Sequence, residues 1–397
     1  MADNVVKFRS DAEETGLERA KRKVRKHRFA RFYRIGIIIL VIAGVLAAYF
    51  IYEKTKTFSS YSITNSVDYA SADGAKVVEF DGSILTYSKD GAGAVDATGK
   101  LLWNQTFDMQ NPLISVCGDT VAFADYGGSS IYVQTSDGES ATVSTDMPIR
   151  KIRTSSSGYV VAVLEDTDVT WIYHYDMNGN ENAYFRTTME KSGYPLDLDI
   201  SPNGELVCVS YYYLDCDDVK SSVAFYDFGS VGQNYIDNYV SGYNYSDIMV
   251  PYVKFLDNET AVAVSSERMS VYAGAHKPVS VSDMFSSDEV LSVYTGADAI
   301  AIVYRNSSSE AKYRLEIYDK TGKMTGAKEF DFDYSNVILK NNMVVLYGDR
   351  NIYIGYFDGT EKFEGTYEQD IHLIIPTVSV DKYIVLTDST IDTVTFK

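Results

Sequence analysis

The feature that most restricts the fold of this 397-residue chain is a short unit that keeps returning. An apolar strand ends in an aromatic or aliphatic residue, followed by Asp and then a turn containing Gly. It reads AVDATG at 94–99, HYDMNG at 174–179 and IYDKTG at 317–322, with looser copies FYD at 225–227, YFDG at 356–359 and TSDG at 135–138. Asp accepts hydrogen bonds from turn amides, and Gly takes the positive φ that closes a hairpin. Copies stand roughly 35–50 residues apart, room for four short strands each, which is the period of a β-propeller. A tandem array of sandwich domains would need roughly 100 residues per unit.

From 61 onward helical periodicity is nearly absent. Apolar or alternating runs at 77–80, 83–87, 120–124, 159–164, 206–213, 260–264, 299–304 and 344–347 are separated by Gly, Asn, Asp and Ser turns, the pattern of strands and hairpins. The 33 Tyr and only 7 Pro suit strands and half-buried surfaces. The predicted fold class is all-β: a propeller of about eight four-stranded blades preceded by one transmembrane helix. The blades begin near 75, 112, 148, 194, 248, 289, 334 and 371. The last group holds three clear strands, so the strand at 61–69 is expected to complete it and remove two sheet edges. Seven blades stay open as an alternative.

Residues 35–52 read IGIIILVIAGVLAAYFIY, eighteen uncharged residues, enough for one helical crossing of a bilayer. Before them lies KRKVRKHRFARFYR at 21–34, without an acidic residue. The positive-inside rule therefore puts the N-terminus in the cytoplasm and the bulk of the chain outside. A cleaved signal peptide, cut near Val45-Leu46-Ala47, is the rival, but the stretch is long for one; an uncleaved signal-anchor is expected. The organisation is then a basic cytoplasmic tail (1–34), a membrane helix (35–52), a linker (53–60) and an extracytoplasmic propeller (61–397). Lys21, Arg22, Lys23, Arg25, Lys26, Arg28, Arg31 and Arg34 form a patch for anionic headgroups. Ser10 with Asp11, Glu13 and Glu14 has the pattern of a helix N-cap. Gly44 and Ala48 form a small-xxx-small pair of the kind that brings two helices together as a homodimer. The linker reaches less than ~30 Å when extended, which keeps the propeller near the bilayer.

Charge is divided along the chain. Residues 1–34 carry 11 Lys/Arg against 5 Asp/Glu, and residues 57–397 carry 23 against 49. An acidic body of that size repels phosphate backbones, which excludes nucleic acid as a partner.

AVDATGKLLW at 94–103 resembles the repeat of quinoprotein-type (PQQ-like) propellers, and LDISPNGELVCVS at 198–210 is similar to the strand–turn–strand of TolB-like and WD40-like propellers. The layout of basic tail, single helix and propeller resembles an uncharacterised family of membrane-anchored proteins of Gram-positive anaerobes. That resemblance implies no activity.

Catalytic inventories are not met. Quinoprotein dehydrogenases repeat a Trp in most blades, and here only Trp103 and Trp171 exist; Trp103 reads as a blade-packing residue. His27, His174, His276 and His372 are scattered without metal-ligand spacing, and His174 reads as a core or channel residue. Cys117, Cys208 and Cys216 make no disulfide framework; Cys117 and Cys208 read as core residues and Cys216 as a turn residue, with a Cys208–Cys216 bridge as the alternative. Asp197/Asp199 and Asp331/Asp333 alternate on strands and read as solvated residues, with calcium ligation as the sharper reading. No catalytic residue, metal or cofactor is expected. The strongest binding candidate is the fourth blade, with Tyr211, Tyr212, Tyr213, Asp215, Asp217 and Asp218, because Tyr is enriched at interfaces; packing between blades is the competing role.

The expected function is a non-enzymatic, membrane-anchored scaffold whose propeller presents loops to an envelope protein or wall-associated partner. Two readings remain beside it: a glycan or peptide sensor signalling through the basic tail, and a metal-dependent hydrolase in the propeller channel.

Overall fold

The computed structural model describes residues 16–70, 74–167, 169–188, 192–215, 218–246, 248–307 and 310–397. They fall into two units, 1–56 and 57–397.

The second unit holds eight four-stranded antiparallel sheets. Blades 1 to 7 each use four consecutive strands, the innermost being Lys76–Phe80, Pro112–Cys117, Ile149–Thr154, Tyr194–Ile200, Tyr252–Phe255, Val290–Thr295 and Asn336–Lys340. Blade 8 uses Ile371–Pro376, Lys382–Thr387 and Thr390–Phe396, and takes its outermost strand, Tyr61–Asp68, from the start of the unit. The expected closure is therefore observed, with Tyr61 opposite Phe396 and Asp68 opposite Thr390. The two chain ends are bonded further: Phe58 N–H donates to Lys362 O (2.6 Å) and Lys397 N–H to Ser60 O (2.8 Å). Tyr61 stacks on Tyr367 at 5.1 Å, and Phe363 and Tyr383 pack on Phe396 at 4.6 and 5.3 Å.

The second strand of each blade lies mid-sheet with a neighbouring blade over each face. Both faces must be apolar, so these strands are continuous hydrophobic runs rather than alternating ones. Thr260–Val264 and Met343–Tyr347 are buried at every position. Outermost strands have one wet face and alternate, as in Leu101–Thr106. The hydrophobic core is accordingly a series of clusters between blades.

The recurrent Asp–Gly unit closes the hairpin between third and fourth strands. The Asp96 carboxylate accepts hydrogen bonds from Thr98 N (2.8 Å) and Lys100 N (3.1 Å), while Gly99 sits at φ 76°. Asp176 and Asp319 repeat this with Gly179 and Gly322 at φ 81°. The register shifts by one residue beside each of these turns. The arrangement is a tight turn followed by a glycine bulge. Hydrogen bonds from Thr98 and Asn180 hold the Asp96 and Asp176 carboxyls below the usual carboxylate range.

The first unit is one 40-residue helix, Gly16–Thr55, in which 35–52 is wholly helical. Lys21 to Lys26 are exposed, as are the apolar side chains that follow, Leu40 at 72% among them. Among the described residues no helix is long and apolar enough to cross a membrane. The side chains of Ala47, Phe50, Glu53, Arg28 and Arg31 lie outside the described set; Ser10, Asp11, Glu13 and Glu14 lie outside the described residues altogether.

Candidate functional site

Blade 4 departs from its neighbours in length. Its second and third strands, Leu206–Asp215 and Asp218–Asp227, have ten residues each, where the second and third strands of no other blade exceed seven. The register runs unbroken from Leu206 opposite Asp227 to Asp215 opposite Asp218, so the hairpin outruns its inner neighbour, which starts at Tyr194 opposite Tyr212. Three residues at ~3.3 Å each extend it by about 10 Å. Leu214 and Val219 face each other across this overhang and are 62% and 39% exposed.

Side chains alternate along a strand, so the three consecutive tyrosines separate. Tyr211 and Tyr213 point toward blade 3; Tyr212 is on the other face and meets Tyr194 edge-on at 6.1 Å. Tyr211 and Tyr213 line a cleft of about 470 Å³ together with Phe185, Arg186, Tyr226, Asp237, Tyr239 and Asn244. Its floor is rigid. The Tyr211 and Tyr226 hydroxyls are hydrogen-bonded at 2.9 Å, and Phe185 stacks on Tyr226 at 4.2 Å. Burial pushes both hydroxyls well above the ordinary tyrosine range, so they stay protonated. The cleft can stack on a ligand and exchange hydrogen bonds with it.

Its lower rim is an insertion between the third and fourth strands. Two short 3-10 turns at Gly232–Asn234 and Ile236–Asn238 leave Ile236 87% exposed. Asp237 and Asn238 hold positive φ of 55° and 58°, a conformation Asx side chains tolerate. Asn238 Nδ2 donates to Asp227 O (2.8 Å), and His276 Nδ1 lies 3.1 Å from Asp227 Oδ2. The sequence reading placed Tyr211 and Tyr213 in one region but missed Arg186, Asp237 and Phe185. Phe185 and Arg186 come from the outermost strand of blade 3, and no local pattern marks them. Asp218 closes the exposed tip, Asp217 and Cys216 lie outside the described residues, and so does the Asp215 side chain.

Other candidates resolve differently. Asp197 and Asp199 are not solvated: both are buried on the innermost strand of blade 4, paired with Lys151, Arg153 and Lys254 of the flanking blades. Each of their oxygens accepts a hydrogen bond, from one of these cations or from a backbone amide of blade 5. Asp333 is exposed and bound by Lys312 and Tyr313. His174 is a core residue rather than a channel one, stacked between Tyr159 (5.2 Å) and Phe228 (4.6 Å). Cys208 is buried and free, while Cys117 is only half-buried. Trp103 packs edge-on against Phe80 at 6.1 Å. Among the described residues no three His, Cys, Asp or Glu side chains stand close enough to share a metal.

The model of a family of unknown function (DUF5711) matches residues 54–396. The chain belongs to that family. The match spans the whole propeller of this DUF5711 chain, cleft included. No curated protein sequence matches it significantly. Among solved structures it is similar to BamB from Moraxella catarrhalis, at 10% identity over 85% of this chain and 100% of that one, with a TM-score of 0.50. Sqt1 from Chaetomium thermophilum matches at 10% identity over 84% and 98%, with a TM-score of 0.53. The tricorn protease matches at 13% identity over 82% of this chain but 36% of its own, with a TM-score of 0.50. At these identities the likeness establishes a propeller and nothing finer.

Proposed function

We propose that this protein is a non-enzymatic interaction scaffold, anchored in the cell membrane by residues 35–52, with its propeller outside the cytoplasm and blade 4 as the docking face. The overlong hairpin carries the reading. It projects two exposed aliphatic side chains, Leu214 and Val219, from the sheet face opposite the tyrosine-floored cleft. An extension with no packing role inside the propeller needs another reason to be apolar. The partner is an envelope protein or wall-associated chain near the bilayer. The cation-rich flank at 21–34 and the apolar exposure of the helix around its circumference support the anchor and its direction.

The test is site-specific photocrosslinking in intact cells. A crosslinker at position 214 is expected to capture a discrete partner, and one at Ser379 on blade 8 is not. Leu214→Asp should abolish the interaction while leaving the melting temperature nearly unchanged, because exposed substitutions shift stability by less than about 0.5 kcal/mol. Identical adducts from both positions would refute blade 4 as the docking face. Protease added to whole cells should remove the propeller; protection in whole cells and cleavage only after lysis would refute the topology.

A further inference from the structure

The innermost strands of blades 3, 4 and 5 carry charges into the channel. Lys151 Nζ and Arg153 Nη2 both reach Asp197 Oδ1 at 3.0 Å. Lys254 Nζ reaches Asp199 Oδ1 at 3.0 Å, with Arg153 Nε 3.7 Å from the same atom. The remaining oxygens accept backbone amides, Val253 N to Asp197 Oδ2 (3.0 Å) and Phe255 N to Asp199 Oδ2 (2.8 Å). Three cations therefore face two carboxylates, leaving one positive charge and several N–H groups over.

The surplus donors can be counted. Lys254 has one acceptor among the described residues for its three N–H groups. Lys151 has two, Asp197 and Leu196 O. Arg153 spends donors on Asp197 and Ile152 O. A shared acceptor atom also limits their separation. Lys151 Nζ and Arg153 Nη2 are at most about 6 Å apart, and Arg153 Nε and Lys254 Nζ at most about 7 Å. The three side chains are 27–32% exposed, so a solute in the channel reaches them. Burial works against the Lys254 ammonium, but Asp199 beside it holds its pKa above the ordinary lysine value, so it stays charged.

Across the channel an ion pair joins two innermost strands. Lys340 of blade 7 pairs with Glu79 of blade 1 at 2.9 Å, and both line a cavity of about 540 Å³. Thr295 of that cavity is hydrogen-bonded to Tyr252 at 3.3 Å, and Tyr252 lies two residues before Lys254 on the same strand. The cavity thus adjoins the cationic wall. Asp119, on the turn after Cys117, is exposed and forms no ion pair with the three cations.

We propose that the channel is a binding site for a small oxyanion, a carboxylate or phosphate group, held by Lys151, Arg153 and Lys254. Such a group neutralises the uncompensated charge and accepts the leftover donors through charge-assisted hydrogen bonds. The site is independent of the docking face on blade 4, and either can fail alone.

Full-length protein in detergent is titrated with inorganic phosphate and, separately, with acetate, against chloride at matched ionic strength, by calorimetry and by thermal melting. Saturable binding of one anion per chain, with a higher melting temperature than in chloride, is expected. Phosphate alone, or acetate alone, identifies which group the site takes. Lys151→Gln, which leaves Asp197 its contacts with Arg153 and Val253 N, should weaken binding at least about tenfold, the loss of one charge-assisted contact of about 1.5 kcal/mol or more. Lys254→Arg should retain binding. No saturable binding of either anion to the wild-type protein would overturn the site, as would unchanged affinity in folded Lys151→Gln. If Lys151→Gln does not fold, Lys254→Arg decides: equal failure to bind with the fold intact would overturn it.

Discussion

At the residue scale, the polar groups inside the propeller act through pairing. His174 is the clearest case. Its Nε2 lies 2.9 Å from Gly204 O, and Asn182 Nδ2 lies 3.3 Å from its Nδ1, an arrangement that suits a neutral ring with the proton on Nε2. Burial lowers its pKa, so the unfolded chain takes up a proton at a pH where the folded one does not. Stability contributed by the neutral ring is present above the unfolded value of about 6.5 and is lost as pH falls through the interval below it. Denaturation midpoints should drop as pH falls below about 6.5, and His174→Gln should flatten that part of the profile. A wild-type profile already flat there would contradict it. The same buried-polar logic separates Asp197 and Asp199 from Asp333. All three read alike in sequence; two are enclosed by blades 3 and 5, and the third stays wet.

At the element scale, blade 4 shows how a repeat acquires an individual surface. Its turn after Asp227 is replaced by the insertion around Gly232, whose backbone lies so close to Asp227 that an added Cβ would sit 1.6 Å from its carbonyl oxygen. No rotamer relieves a backbone clash. Gly232→Ala should lower the denaturant midpoint by the equivalent of about 1–3 kcal/mol and distort the cleft, because Asp237 and Tyr239 line it. A midpoint equal to wild type would show that the insertion repacks freely. The Tyr-rich composition of this blade was visible in the sequence, but which tyrosines cooperate was not. Strand alternation divides Tyr211 and Tyr213 from Tyr212, and the opposite wall, Phe185 and Arg186, belongs to the neighbouring blade.

At the scale of the whole molecule, the ring is held closed by a strand from one end of the propeller sequence paired to the other. Tyr61–Asp68 caps the edge of Thr390–Phe396 and covers the aromatic cluster around Phe363, Tyr367 and Phe396. Removing residues 57–70 from the full chain should expose that edge and those rings together, turning a cooperative melt into a broad or aggregating one. Retention of a sharp transition at the wild-type temperature would mean that closure is dispensable.

Architecture was legible in the sequence because it is written in local chemistry. Asp and Gly mark the turns, β-branched and aromatic runs mark the strands, and the spacing between copies sets four strands per blade. A count of about eight blades, with seven left open, their starting points to within about four residues and the strand that completes the last blade follow from that; the structure has eight. The binding surface and the channel charges were decided only by tertiary structure. Lys151, Asp197 and Lys254 lie tens of residues apart, and the packing of consecutive blades brings their innermost strands side by side. Which charges then neutralise one another, and which are left over, depends on contacts between blades that no local pattern encodes.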